Sequence, residues 1–220
     1  MKIFNELKKS QSIMRGIILI SFIIGIYFYP AMPERMASHW GANGEANGYM
    51  PKFWGTFLIP FISIFLLIFF LLLPKIDPLK ANIEKFRKYF DEFIILILIF
   101  LFYIYVLTLA WNIGVKFNMS LMILPALGAL FYYLGILLEK TKRNWFIGIR
   151  TPWTLTSDKV WDKTHKVGGK LFKISGIIAI IGIVSGKYAI FFAIAPIILA
   201  AIYTTAYSYF EYKKESKNNL

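Results

Sequence analysis

The chain contains no cysteine among its 220 residues, which excludes disulfides, thiolate metal sites and cysteine nucleophiles. Histidine is almost as scarce: His39 and His165 are the only two. Charged residues make up just 17% of the chain, and 12 acidic groups face 25 basic ones. Against 58% hydrophobic and 18% aromatic residues, that is too little polar surface for a soluble globular domain. It fits an integral membrane protein. In a soluble protein a net charge of +13 would suggest nucleic acid. Here its distribution matters more than its sum, and no direct nucleic-acid partner is expected.

A hydrocarbon core roughly 30 Å thick takes about 20 apolar helical residues to cross. Six segments meet or approach that criterion: Ile13–Tyr29, Phe53–Leu73, Phe93–Val115, Phe117–Leu138, Leu171–Gly186 and Tyr188–Phe210. The fifth is short and holds Lys173 near its start, from where the ammonium can snorkel to the headgroups. None carries an ionisable residue near its middle. Lys and Arg alternate across the spans, 21 in one set of flanking segments and four in the other. By the positive-inside rule this predicts an all-α, multi-pass protein of the cell membrane, one polytopic domain over 1–220 with both termini cytoplasmic. The first span follows a basic start, as a secretory signal would, but no small-x-small cleavage site follows it, and it is expected to be retained.

Several local signals refine this picture. In "KIDPLKANIEKF", Asp77 and Pro78 read as the start of an interfacial helix leading into the third span. Pro60, Pro125 and Pro196 lie inside spans 2, 4 and 6 and are expected to kink them. Ser175, Ala179, Gly182 and Gly186 are four apart in pairs, a spacing that permits close helix approach. With only Gly186 and Lys187 before the sixth span, the last two spans should form a tight hairpin. No convincing internal repeat is present, which argues against inverted-repeat transporter folds.

Two polar loops are not bland. The outer loop, 30–52, carries two Asn-Gly pairs, Asn43-Gly44 and Asn47-Gly48, both strong turn signals. It should be compact, with His39 and Trp40 near the membrane surface. The inner loop, 139–170, should turn at Gly148 and at Thr151-Pro152. A short helix capped by Thr156 or Ser157 should then run to about Lys166, before Gly168-Gly169 interrupts it. On that helix Asp158, Asp162 and His165 share a face beside Trp161, and Asp162 is spaced to pair with Lys166. Three readings of the face stay open: a capped interfacial helix, a recognition surface, and a metal or acid–base site built from Asp158, Asp162 and His165. His39 and His165 fall on opposite sides of the membrane and cannot cooperate.

The segment "RNWFIGIRTPWTLTSDKVWDKTHKVGGK", 143–170, resembles the signature of the SdpI family of six-span membrane immunity proteins. "MPERMASHWGANGEANGYMPK" is similar to the family's outer segment, and "LPKIDPLKAN" also matches, so the resemblance spans nearly the whole chain. One departure is Asn47, where the family pattern has an aspartate before Gly-Tyr. The resemblance implies protection of the cell's own membrane against a secreted antimicrobial peptide toxin, together with relay to a cytoplasmic transcriptional repressor. It implies no catalytic residues, no metal and no cofactor. Partner contact is expected at Arg143, Asn144, Trp145, Gly148, Arg150, Thr151, Pro152, Trp153, Thr154, Asp158, Trp161, Thr164, His165, Gly168 and Gly169. Toxin contact is expected at His39, Trp40, Gly44, Gly48, Tyr49 and Lys52, and lipids are the surrounding partner. The competing classes are a metal-dependent membrane enzyme using the inner Asp/His face, and a transporter whose path is lined by Asn112, Thr204 and Thr205.

Overall fold

In lipid, backbone amides find no water, so each apolar run closes its hydrogen bonds internally as helix. The computed structural model describes residues 2–218, without the side chains of 2–8, Lys187 and Asn218. The charges of Lys2, Lys8 and Lys187 therefore lie outside the described side chains. The helices are α1 (Lys2–Phe28), α2 (Lys52–Ile76), the short α3 (Lys80–Glu84), α4 (Arg87–Asn112), α5 (Met119–Lys140), the short α6 (Pro152–Thr156), α7 (Asp158–Ile181) and α8 (Ala189–Asn218). Six helical stretches are long and apolar enough to cross a membrane. The molecule is a multi-pass membrane protein. Large apolar side chains such as Ile26, Phe65, Leu199 and Ile202 stand more than 60% exposed around the bundle, forming the belt that meets the acyl chains.

The helices group by packing. Helices α1, α2 and α4 share a core of Met14, Ile18, Leu67, Phe90, Ile94 and Leu98, which also takes in Leu137 of α5. Helices α5, α7 and α8 form the other group, and its core is small: Leu124, Ala179, Ala189 and Ala193. Small residues let α5 and α7 touch backbone to backbone. A Cβ added at Gly135 would come 2.5 Å from the Gly169 carbonyl oxygen, and one at Gly176 equally close to that of Gly128. Both pairs repeat every seven residues, so they fall on one seam.

That seam corrects the expected helix break. Gly168-Gly169 does not interrupt the inner helix; α7 runs unbroken from Asp158 to Ile181. The two glycines are buried, Gly168 against Ile149 and Thr204 and Gly169 against α5. Packing outweighs their low helix propensity of about 1 kcal/mol each. The helix that carries the fifth apolar run therefore starts well before Leu171. Ser175, Ala179 and Gly182 are buried as their spacing suggests, and a 3-10 stretch, Gly182–Tyr188, turns the chain into α8 through Gly186 at φ 58°. Pro60, Pro125 and Pro196 all sit inside helices.

The all-α expectation also needs an amendment. The outer loop holds an antiparallel hairpin, β1 (Arg35–Trp40) and β2 (Ala46–Pro51), with Met36 opposite Met50, Ala37 opposite Tyr49 and His39 opposite Gly48. Asn43-Gly44 makes the turn, with Gly44 at φ 81°. Asn47-Gly48 is not a second turn: it lies in β2, where Gly48 leaves room for His39. The α4–α5 connection meets this hairpin, and the segments after α2 and α5 meet each other and α8 at the opposite end. The bundle therefore has a hairpin end and a basic end.

Candidate functional site

At the basic end the chain between α5 and α7 is folded around buried polar groups rather than around a cavity. Asn144 is fully buried. Its amide nitrogen donates to the carbonyls of Lys142 and Ile147, both at 2.8 Å, and its oxygen accepts from the N–H groups of Phe146 and Ile147. One side chain thus satisfies four backbone groups, which would otherwise be costly to bury. Asp77, also buried, spans two loops: one oxygen accepts from Leu79 N–H at 2.6 Å, the other from Trp145 N–H at 2.9 Å. It does not cap α3, whose N-cap position is Leu79. Asn82 adds a second tie, donating to the Arg143 carbonyl at 2.8 Å.

His165 and Trp161 form the centre of this frame. Both are buried, and their rings stack at 3.9 Å with 18° between planes. The Ile149 N–H donates to His165 Nε2 at 2.8 Å, so Nδ1 carries the proton and donates to the Trp161 carbonyl at 2.8 Å. That pattern requires a neutral imidazole with both nitrogens committed. Trp161 Nε1 donates to the Thr141 carbonyl at 3.2 Å. Gly148, at φ 119°, is obligatory: a Cβ there would run into the His165 ring.

The expected Asp/His face therefore disperses. Asp158 receives Arg143 Nε at 2.6 Å, Asp162 receives Lys142 Nζ at 3.0 Å, and His165 points inward. Asp162 pairs with Lys142 rather than with Lys166, because the chain leaving α5 brings Lys142 over it. Among the described residues no cluster of three His, Asp or Glu side chains can hold a metal ion. Of the residues expected to line a transport path, Thr204 and Thr205 donate to carbonyls one turn back in α8, and Asn112 binds the hairpin backbone.

Around the frame, Thr151 and Thr154 close a capping box on α6, with Pro152 at its first turn, and Thr151 Oγ1 lies 3.0 Å from Ser208 Oγ of α8. Ser157 caps α7 and donates to Glu215 at 2.6 Å, while Glu211 gathers Lys163 and Lys214. Of the residues expected to meet a partner, Asn144, Thr151, Thr154, Trp161, Thr164, His165, Gly168 and Gly169 are buried. Thr164 Oγ1 is buried without a hydrogen bond. Trp145, Arg150, Pro152 and Asp158 are exposed, with Arg143 and Trp153 half-buried beside them. Arg150 donates to the Trp145 carbonyl at 2.8 Å, and Trp153 stands edge-on to Tyr209.

The hairpin end is built differently. Asn112, at the end of α4, presents its amide to the backbone of β1: its oxygen accepts from Ala37 N–H at 2.8 Å and its nitrogen donates to the Ala37 carbonyl at 3.0 Å. Asn118 donates to the Asn43 carbonyl and Ser120 to that of Gly41, both at 2.9 Å, which pins the turn onto α5. Gly44 is buried against Asn118. The hairpin buries Met36 and Ala37 of β1 and leaves other side chains outward: Tyr49 is 51% exposed, and exposed His39 contacts Asn47 Oδ1 across the strands. The amide at 47 thus serves His39. Trp40 lies edge-on to Trp111, over which Lys116 sits. Lys52, at the foot of β2, faces Glu34 at 3.7 Å and the Tyr29 ring. Between hairpin and α4–α5 turn runs an open groove of about 520 Å³, lined by Gly44, Ala46, Tyr49, Trp111, Lys116 and Asn118.

Residues 140–208 match the SdpI/YfhL protein family, and residues 16–64 match a domain of unknown function, DUF1648. The chain is 30% identical over 200 residues to the immunity protein SdpI of Bacillus subtilis (strain 168), covering 90% of this chain and 93% of that one. The chain belongs to the SdpI family. No solved structure matches it. Within this SdpI-family protein the family segment begins at Lys140, where the frame begins, and ends at Ser208, the α8 residue that Thr151 reaches. Asp77, Asn118 and Ser120, which tie segments together within each end, lie outside the residues expected as sites from the sequence, and Asn112 was expected only to line a transport path. Asp77 stood in a matching motif, but only the fold shows which backbone it serves.

Proposed function

We propose that this protein is a membrane immunity protein, protecting its own cell membrane against a secreted antimicrobial peptide without catalysing a reaction. The observation that carries this is the 30% identity, over nine-tenths of the chain, to a protein named an immunity protein. The division of labour follows from the two ends. The hairpin end faces outward and meets the toxin through Tyr49, His39 and Trp40, with Gly44 and Gly48 shaping the strands and Lys52 anchoring the foot. The basic end faces the cytoplasm, which accords with 21 Lys and Arg residues on the segments assigned to that side against four on the other. There the exposed rim of Trp145, Arg150, Pro152 and Asp158, with Arg143 and Trp153, meets a cytoplasmic partner such as a transcriptional repressor. Arg and Trp are the residue types that dominate such contacts. The buried remainder holds that rim in place.

The test is expression in a toxin-sensitive host challenged with a panel of secreted antimicrobial peptides. Survival above the empty-vector control is expected with at least one. Equal killing at confirmed membrane expression contradicts the reading. Capture of a transcriptional repressor from cytoplasm of the same cells, lost on Arg150→Ala without loss of membrane insertion, tests the inner rim.

A further inference from the structure

At the basic end three lysines that the frame does not use share one groove. Their neighbours are matched: Arg143 with Asp158, Lys142 with Asp162, Lys163 with Glu211 and Lys173 with Glu139. Lys166 and Lys170 have no carboxylate partner among the described residues, and Lys140 only overlies the Tyr89 ring at 5.6 Å. Lys166 is free because Lys142 has taken Asp162. These three lysines line one groove of about 470 Å³ between the end of α5 and the first half of α7. Both acidic residues on its wall, Glu139 and Asp162, are already engaged by Lys173 and Lys142.

The face of α7 that carries these lysines changes character along its length. Lys166 and Lys170 are followed, at successive turns, by Ile174, Ile177 and Ile181, all exposed, at 52%, 46% and 63%. Residues at i, i+4, i+8, i+11 and i+15 form one stripe on a helix. Cations thus run directly into an apolar strip belonging to the lipid-facing belt. A free phosphate would use only the first part of that stripe. A molecule with a phosphate and an acyl chain uses both.

We infer that this groove binds one anionic phospholipid, its phosphate held by Lys140, Lys166 and Lys170 and an acyl chain lying along Ile174, Ile177 and Ile181. Lysines near anionic lipid each contribute about a factor of five in affinity, so losing two should weaken binding roughly 25-fold.

The experiment uses the full chain in neutral detergent, titrated with short-chain phosphatidylglycerol and read by native mass spectrometry, with unfolding midpoints checking each variant. One saturable phosphatidylglycerol should bind. Lys166→Gln/Lys170→Gln should bind roughly 25-fold more weakly, Lys140→Gln about five-fold more weakly, and Lys166→Arg/Lys170→Arg nearly as the parent. Phosphatidylcholine should bind poorly, and inorganic phosphate at matched concentration should not displace the lipid. The proposal is overturned if the Gln double variant binds normally, or if Lys159→Gln, elsewhere on the basic surface, loses as much. Displacement by inorganic phosphate also overturns it, since the occupant would then be the free anion.

Discussion

The two polar ends of the bundle use similar residue types in opposite ways. At the basic end, Trp161, His165 and Asn144 turn inward, and their hydrogen-bonding groups are consumed by backbone. At the hairpin end the holding is done by Asn112, Asn118 and Ser120 acting on the hairpin's backbone. The hairpin's own Tyr49 and His39 therefore remain at the surface. A tryptophan or histidine in a polar loop is thus no guide to recognition until its partners are known. What separates the ends is which side chains are consumed: the loop's own Asn144, Trp161 and His165 at one, those of neighbouring Asn112, Asn118 and Ser120 at the other.

The contrast can be broken most forcefully at its centre. Trp161→Ala removes the largest fully buried side chain of the frame and should cost about 3–5 kcal/mol, read as a lowered unfolding midpoint in detergent. Gly148→Ala forces a side chain onto φ 119° and against the His165 ring. It should cost about 1–3 kcal/mol by the same measurement. Asn112→Ala strips Ala37 of both its side-chain partners and should cost about 1–3 kcal/mol, but locally. Faster hydrogen exchange and proteolysis confined to 35–51 is the expected readout, with the basic end unchanged. Smallest in stability are Tyr49→Ala and Arg150→Ala, both on exposed side chains, which should stay within about 0.5 kcal/mol of the parent. Their effects should appear only in protection and in partner capture, respectively. A large midpoint loss from either would blur the distinction between frame and surface.

Much of this was legible beforehand. Six apolar runs gave six membrane-competent helices, and Asn43-Gly44 gave the hairpin turn, because local composition decides both. The strands themselves were not visible. Their alternation is weak, and what holds Arg35–Trp40 as β is its pairing with β2 together with an amide from α4, 75 residues from Ala37. Gly168-Gly169 misled for a related reason: glycine reads locally as a breaker, whereas here the seam with Gly135 selects it. Asp158, Asp162 and His165 were correctly placed near one another on a helix. Their separation into two ion pairs and a buried ring came from Lys142, Arg143 and Ile149, which the spacing on α7 cannot reveal.

The most direct test of the assignment of roles is survival under toxin challenge of cells carrying His39→Ala/Tyr49→Ala, with membrane level and unfolding midpoint measured on the same variant. The account predicts that protection falls to the empty-vector level while the midpoint stays within a degree or two of the parent, about 0.5 kcal/mol for a chain this size. Full protection by that variant would contradict it, because the outward surface of the hairpin would then play no part in meeting the toxin.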